Sequence, residues 1–262
     1  MSPRRRAQIA RGAQYGVLIL AVVVLAAVAD WNRISDAFFD TKVAGKLFPD
    51  LITVALKNTV LYTLCAFAFG LVFGLLLALM RLSPVVVYRA LATAYVEFFR
   101  GVPALLVLIA FGYGIPIALN TEVPGGVLGT ITVALGLVAA AYMAETMRAG
   151  IQAVPKGQTE AARSLGMSQS WAMISIIIPQ AFRIILPPLT NELILLTKDS
   201  SLVYLLGLTP GDRELAKFGR DALNDYVSMT PILVVGLSYL IITVPLGILV
   251  RRLESRQARA RG

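Results

Sequence analysis

The chain is 262 residues long, 57% hydrophobic and 15% charged, with a mean hydropathy of +0.75, whereas soluble domains are about 45–50% apolar. Its formal charge is +9, but the basic residues sit at the ends of apolar runs and are not interleaved with aromatics, a placement that excludes nucleic acid and indicates a lipid bilayer. There is no histidine and one cysteine, Cys65, inside an apolar run, which removes imidazole relays, Ser-His-Asp triads, most zinc sites and any intramolecular disulfide.

About 20 consecutive apolar residues suffice to cross a bilayer as a helix. Six such runs occur, at residues 13–31, 52–80, 90–118, 126–147, 174–197 and 229–250, so the fold class is all-α integral membrane with about six transmembrane helices. The first run follows Arg4, Arg5 and Arg6 and ends at Trp31, an interfacial anchor. With Ala27, Val28 and Ala29 it also has the pattern of a cleavable signal peptide, and both readings stay open. Glu97 and Arg100 interrupt the third run, and Pro179, Pro187 and Pro188 predict a kink in the fifth. Beyond it, Thr209 can cap a helix, Pro210 suits a first helical position, and Leu215, Phe218 and Ala222 share a face. That pattern predicts an amphipathic helix over residues 209–225 on the outer surface.

Arg81, Arg89, Arg148, Lys156, Arg163, Arg251 and Arg252 fall on the same side as Arg4, Arg5, Arg6, Arg11, Arg256, Arg259 and Arg261 if the spans alternate. The opposite loops mix Arg33, Lys42, Lys46, Lys198, Arg213, Lys217 and Arg220 with a larger number of carboxylates. The positive-inside rule then puts both termini, and the loop around Glu160, in the cytoplasm.

That loop has an organisation of its own. Pro155 and Gly157 end the preceding helix, Thr159 can cap a new one, and Glu160 in its first turn faces the positive end of the helix dipole. Ala161, Ala162 and Leu165 make a narrow apolar stripe, Gly166 permits the left-handed stop, and Ser168 can cap the next helix. On geometry alone this is either a plain linker or a short helix shaped for a partner's groove.

Polar residues at membrane depth are costly and mark a substrate path. Arg183, Pro187, Asn191 and Lys198 fall within about a third of the fifth helix's circumference, with Glu192 projecting from another side. Glu97, Arg100, Glu145, Arg183, Asn191 and Glu192 offer cations, anions and an amide for such a path. Structural ion pairs or snorkelling charges are the alternative for each. No metal site and no nucleophile–base pair is visible, which argues against a membrane enzyme. An ion-coupled secondary transporter acting as a single chain is the other reading, one that leaves the Glu160 segment without a task.

Glu160-Ala161-Ala162, a glycine six residues after the glutamate (Gly166), then Ile176 and Pro179, resembles the EAA loop of ABC importer permeases. Ile178 stands where that family more often has leucine. Phe99-Arg100-Gly101-Val102-Pro103 is similar to the FRGTP motif of the polar amino-acid (His/Glu/Gln/Arg) subfamily, with Val102 in place of threonine. The stretches Ala144–Gln158 and Asn191–Leu202 also resemble that subfamily. The resemblance implies a type I ABC importer permease domain over residues 52–252, preceded by a basic N-terminus, an extra span and an outer loop in 1–51, and followed by a basic tail in 253–262. It implies a bacterial cytoplasmic (inner) membrane location and three kinds of partner. These are a cytoplasmic ABC ATPase dimer, a second permease chain, identical or paralogous, and an extracytoplasmic amino-acid-binding protein. Gly157, Glu160, Ala161, Ala162, Leu165 and Gly166 would form the coupling helix. The chain has no G-x-x-x-x-G-K-[ST] loop, so ATP and Mg are expected on the partner ATPase and no cofactor in this chain.

Overall fold

The computed structural model of the protein describes residues 3–261, and all elements among them are helical. The side chains of Arg4, Arg5, Arg6, Arg256, Arg259 and Arg261, counted in the charge argument, lie outside the described residues. In chain order the helices are α1 (Pro3–Val28), α2 (Trp31–Phe38), α3 (Thr41–Lys46), α4 (Leu51–Leu82), α5 (Val86–Gly101) and α6 (Ala104–Leu119). They continue with α7 (Gly126–Gln152), α8 (Lys156–Ser164), α9 (Gln169–Leu206), α10 (Leu215–Tyr226) and α11 (Thr230–Arg261). Among the described residues, α1, α4, α7, α9 and α11 are each long and apolar enough to cross a membrane.

The centre of the bundle is the seam between α4 and α7, which small residues make possible. Gly70 lies against Gly136, Ala139 and Ala140, and Gly74, one turn on, against Ala140, Met143 and Ala144. A Cβ at Gly74 would stand 3.0 Å from the Ala140 carbonyl oxygen, so the backbones approach only because it is absent. Residue numbers rise together along the two helices, hence α4 and α7 run parallel and end on the same face. A parallel pair requires the intervening chain to cross back once. Helices α5 and α6, whose axes differ by 101°, therefore form one broken span, the sixth.

The expected third span over 90–118, interrupted at Glu97 and Arg100, is this bent pair, and the break itself falls at Val102-Pro103. Val102 is extended (φ −98°, ψ 131°), the conformation that a following proline imposes, and Pro103 opens α6 with its carbonyl. Hydropathy registers composition and not direction, so the break escaped it. The expected first span, 13–31, is the apolar part of α1, which ends at Val28, just short of Trp31 at the start of α2. No residue in the apolar part of α1 is buried by the rest of the protein; it stands off the bundle.

In α9 a π-helical turn, Met173–Ile177, precedes Pro179, and Pro187 and Pro188 are carried inside the helix. The wider turn leaves room where a proline removes a backbone donor.

The predicted surface helix begins later than Thr209. Thr209 leads into a single 3-10 turn, Pro210–Asp212, and α10 starts at Leu215 with Glu214 as its cap. The Glu214 carboxylate accepts from the Ala216 and Lys217 amides, both at 2.6 Å, and from the Tyr239 hydroxyl at 3.1 Å. Glu214 is fully buried, and burial pushes its carboxyl up to about 7 against the pull of those donors. Leu215, Phe218 and Ala222 are the buried face, as their spacing predicts, and they pack on Leu47, Leu51, Ala55 and Val235.

Candidate functional site

Two places hold the candidate functional side chains, a short helix at one end of the bundle and a cavity at mid-depth. Helix α8 starts at Lys156 behind Pro155 and not at Thr159. Pro155 takes an extended ψ of 132° that turns the chain, and its carbonyl accepts from Gln158 at 3.0 Å. Gly157 therefore sits in the first turn rather than ending the preceding helix, which closes at Gln152. The far end is a Schellman stop: Gly166 has φ +85°, its amide donates to the Arg163 carbonyl at 3.0 Å, and Met167 donates to Ala162 at 3.1 Å. Ser168 then caps α9, accepting from the Trp171 amide at 3.2 Å.

Ala162 is the one buried residue of α8. It is 2% exposed where the helix meets the first turns of α9. Gly157, Glu160, Ala161, Leu165 and Gly166 are exposed, Leu165 by 84%. Beside Leu165 the exposed Trp171 and Ile174 extend the apolar surface. So α8 is fixed along one edge, begun at Pro155 and stopped at Gly166, with its other sides uncovered. Just inside it, the Glu145 carboxylate bridges Arg81 and Arg148, tying the ends of α4 and α7 together.

The cavity, about 400 Å³, opens where α5 and α6 part. Arg100, Val102 and Pro103 line it from the break, Tyr142 from α7, and Glu192 and Asp199 from α9. The Arg100 guanidinium lies 5.7 Å from the centre of the Tyr142 ring, a cation–π distance. Glu192 and Asp199 are half-buried. The cavity reaches Leu135 and Ala139, halfway along α7, about 20 Å from the end that leads to α8 at a rise of 1.5 Å per residue.

Of the six residues expected on a substrate path, the fold brings Arg100 and Glu192 to this cavity. Glu97 is exposed on α5, Glu145 belongs to the ion-pair cluster below, and Arg183 and Asn191 are exposed on α9 away from the lining. The hydroxyls of Thr190 and Thr197 return to their own helix, at the Leu186 and Leu193 carbonyls. Sequence reasoning passed over Tyr142 and Asp199. Asp199 had a signal in its motif with Lys198, Ser200, Ser201 and Leu202; Tyr142 had none. Among the described residues no group of three or more Asp, Glu or Cys is placed to hold a metal ion.

Comparison with known proteins agrees with this architecture. Residues 70–259 match the family described as "binding-protein-dependent transport system inner membrane component". The chain is 41% identical over 199 residues to the probable glutamine ABC transporter permease protein GlnM of Bacillus subtilis, covering 76% of this chain and 89% of that one. It is 36% identical over 242 residues to the arginine transport system permease protein ArgU of Corynebacterium glutamicum, covering 87% and 73%. Among solved structures, an amino acid ABC transporter determined with histidines superimposes with a TM-score of 0.73 at 34% identity, covering 81% of this chain and 96% of that one. The fold, the match over most of the chain and these relatives agree: the protein is a multi-pass membrane permease that belongs to the inner membrane component family of binding-protein-dependent ABC transport systems.

Proposed function

We propose that this chain forms the translocation path of an importer for a polar amino acid, driven by ATP hydrolysis on a separate subunit that engages α8. The observation that carries the reading is α8 itself, a helix stopped at both ends, anchored by Ala162 and otherwise uncovered. Such a helix moves as a rigid body when pushed, and its contact at the foot of α9 passes the motion to the spans. The relatives' names favour amino acids, and the cavity suits a zwitterion. Arg100 complements the carboxylate, while Glu192 and Asp199 complement the ammonium group.

The charge asymmetry of the loops supports a topology with both termini and α8 in the cytoplasm of a bacterial inner membrane. ATP and Mg belong to an ATPase dimer below the membrane, a second permease chain completes the path, and an extracytoplasmic binding protein delivers the solute. Without a phosphate-binding loop, this chain contributes no nucleotide chemistry.

The test is reconstitution of the permease in liposomes with and without its ATPase subunit, measuring uptake of labelled amino acids. Uptake is expected only with ATPase and ATP present. Uptake driven by an ion gradient through this chain alone would overturn the reading in favour of a secondary transporter.

A further inference from the structure

Helix α2 belongs to neither the path nor the coupling machinery, yet its two ends are fixed. At its start, two residues separate Val28, the end of α1, from Trp31, whose indole Nε1 donates back to the Ala26 carbonyl at 2.7 Å. Asp30 caps the helix, accepting from the Arg33 amide at 3.1 Å. At its end the Ala37 carbonyl accepts from the Met229 amide at 2.9 Å and from the Ser228 hydroxyl at 3.3 Å. The Asp40 amide donates to the Thr230 hydroxyl at 3.1 Å, and Thr230 is the first residue of α11. Both attachments are therefore span ends on the face opposite α8. A helix pinned between two span ends, its eight residues reaching about 12 Å, runs along the membrane boundary.

Its side chains sort accordingly. At about 3.6 residues per turn, Trp31, Ile34, Ala37 and Phe38 share one third of the circumference, while Asn32, Arg33, Ser35 and Asp36 occupy the opposite side. No α2 residue is buried, and Trp31 is 60% exposed. We propose that α2 lies flat in the lipid interface opposite α8, its Trp31, Ile34 and Phe38 edge toward the acyl chains and its Arg33 and Asp36 edge in the headgroup layer. The occupant is lipid because α2 continues from α1, a span that no other part of the protein covers. Asp30, Asp36 and Asp40 outnumber Arg33 here, so apolar burial holds the helix and anionic headgroups are not required.

The chain has two tryptophans, so a Trp171→Phe background leaves Trp31 as the sole fluorophore of its kind in the full chain. In phosphatidylcholine nanodiscs, lipids brominated near the headgroup end of the acyl chain are expected to quench Trp31 roughly twofold more than lipids brominated near the methyl end, as for an interfacial aromatic. Aqueous iodide should have little effect, and adding phosphatidylglycerol should change nothing. Adding Phe38→Asp should open Trp31 to iodide. Strong iodide quenching without bromolipid quenching would overturn the proposal, because α2 would then stand in water. Protection from both quenchers would also overturn it, since protein and not lipid would cover the helix.

Discussion

The α4–α7 seam and α8 are both built on glycine and alanine, and they use them for opposite purposes. In the seam, Gly70 and Gly74 are needed for what they lack, since a Cβ on either would press on the facing helix. At α8, Gly166 has open space around its Cβ position, and what it supplies is a φ of +85°. One region is specified by packing and the other by backbone conformation. The first makes a fixed frame, the second a short helix with a defined stop.

Three measurements bear on that contrast, and the largest effect falls on the frame. Gly74→Leu puts a branched side chain where a Cβ alone is 3.0 Å from the Ala140 oxygen and from the Met143 Cβ. The expected cost is about 3 kcal/mol or more, read as failure to assemble or a large drop in thermal midpoint in detergent. A Gly74→Leu variant with wild-type stability would mean that the seam is not the frame.

Next comes the buried cap between the frame and α10. Glu214 binds its proton more tightly folded (about 7) than unfolded (about 4.5). Its contribution to stability is therefore fully present below about pH 4.5 and is lost as the pH rises through about 7. At roughly 1.4 kcal/mol per pKa unit the span is at most ~3.5 kcal/mol. Glu214→Gln is expected to flatten this part of the thermal midpoint's pH profile. An unchanged slope would assign the pH dependence to other groups.

The smallest effect on stability belongs to α8. Gly166→Val costs about 1–2 kcal/mol in the left-handed region, and Gly166→Asn less. Both proteins should therefore insert and assemble. ATP-driven uptake is expected to fall about tenfold with valine, equivalent to about 1.4 kcal/mol in the coupled state, and to be largely kept with asparagine. Equal uptake by the two variants would show that the conformation of this stop does not matter for coupling.

The same contrast explains what could be read from the sequence. Apolar run length gave the long spans, because lipid demands it locally, and the i, i+3, i+7 spacing of Leu215, Phe218 and Ala222 gave the buried face of α10. Caps were harder. Thr159 and Thr209 have side chains suited to capping, but α8 begins behind Pro155 without a side-chain cap and Glu214 caps α10, since the neighbouring fold decides where the chain can turn. The cavity was least legible: Arg100, Tyr142 and Glu192 come from three helices, and no periodicity within one helix reveals their meeting. The bend at Val102-Pro103 was visible as residues within a motif but not as a change of direction.

That bend places more than side chains at the cavity. Where α5 stops, its last carbonyls have no helical donors, and where α6 begins, its first amides have no helical acceptors. The negative end of one half-helix and the positive end of the next thus meet at mid-depth, about half an elementary charge each. On the proposed path, a solute between Arg100 and Glu192 would meet fixed backbone dipoles of both signs, which no single side-chain substitution removes.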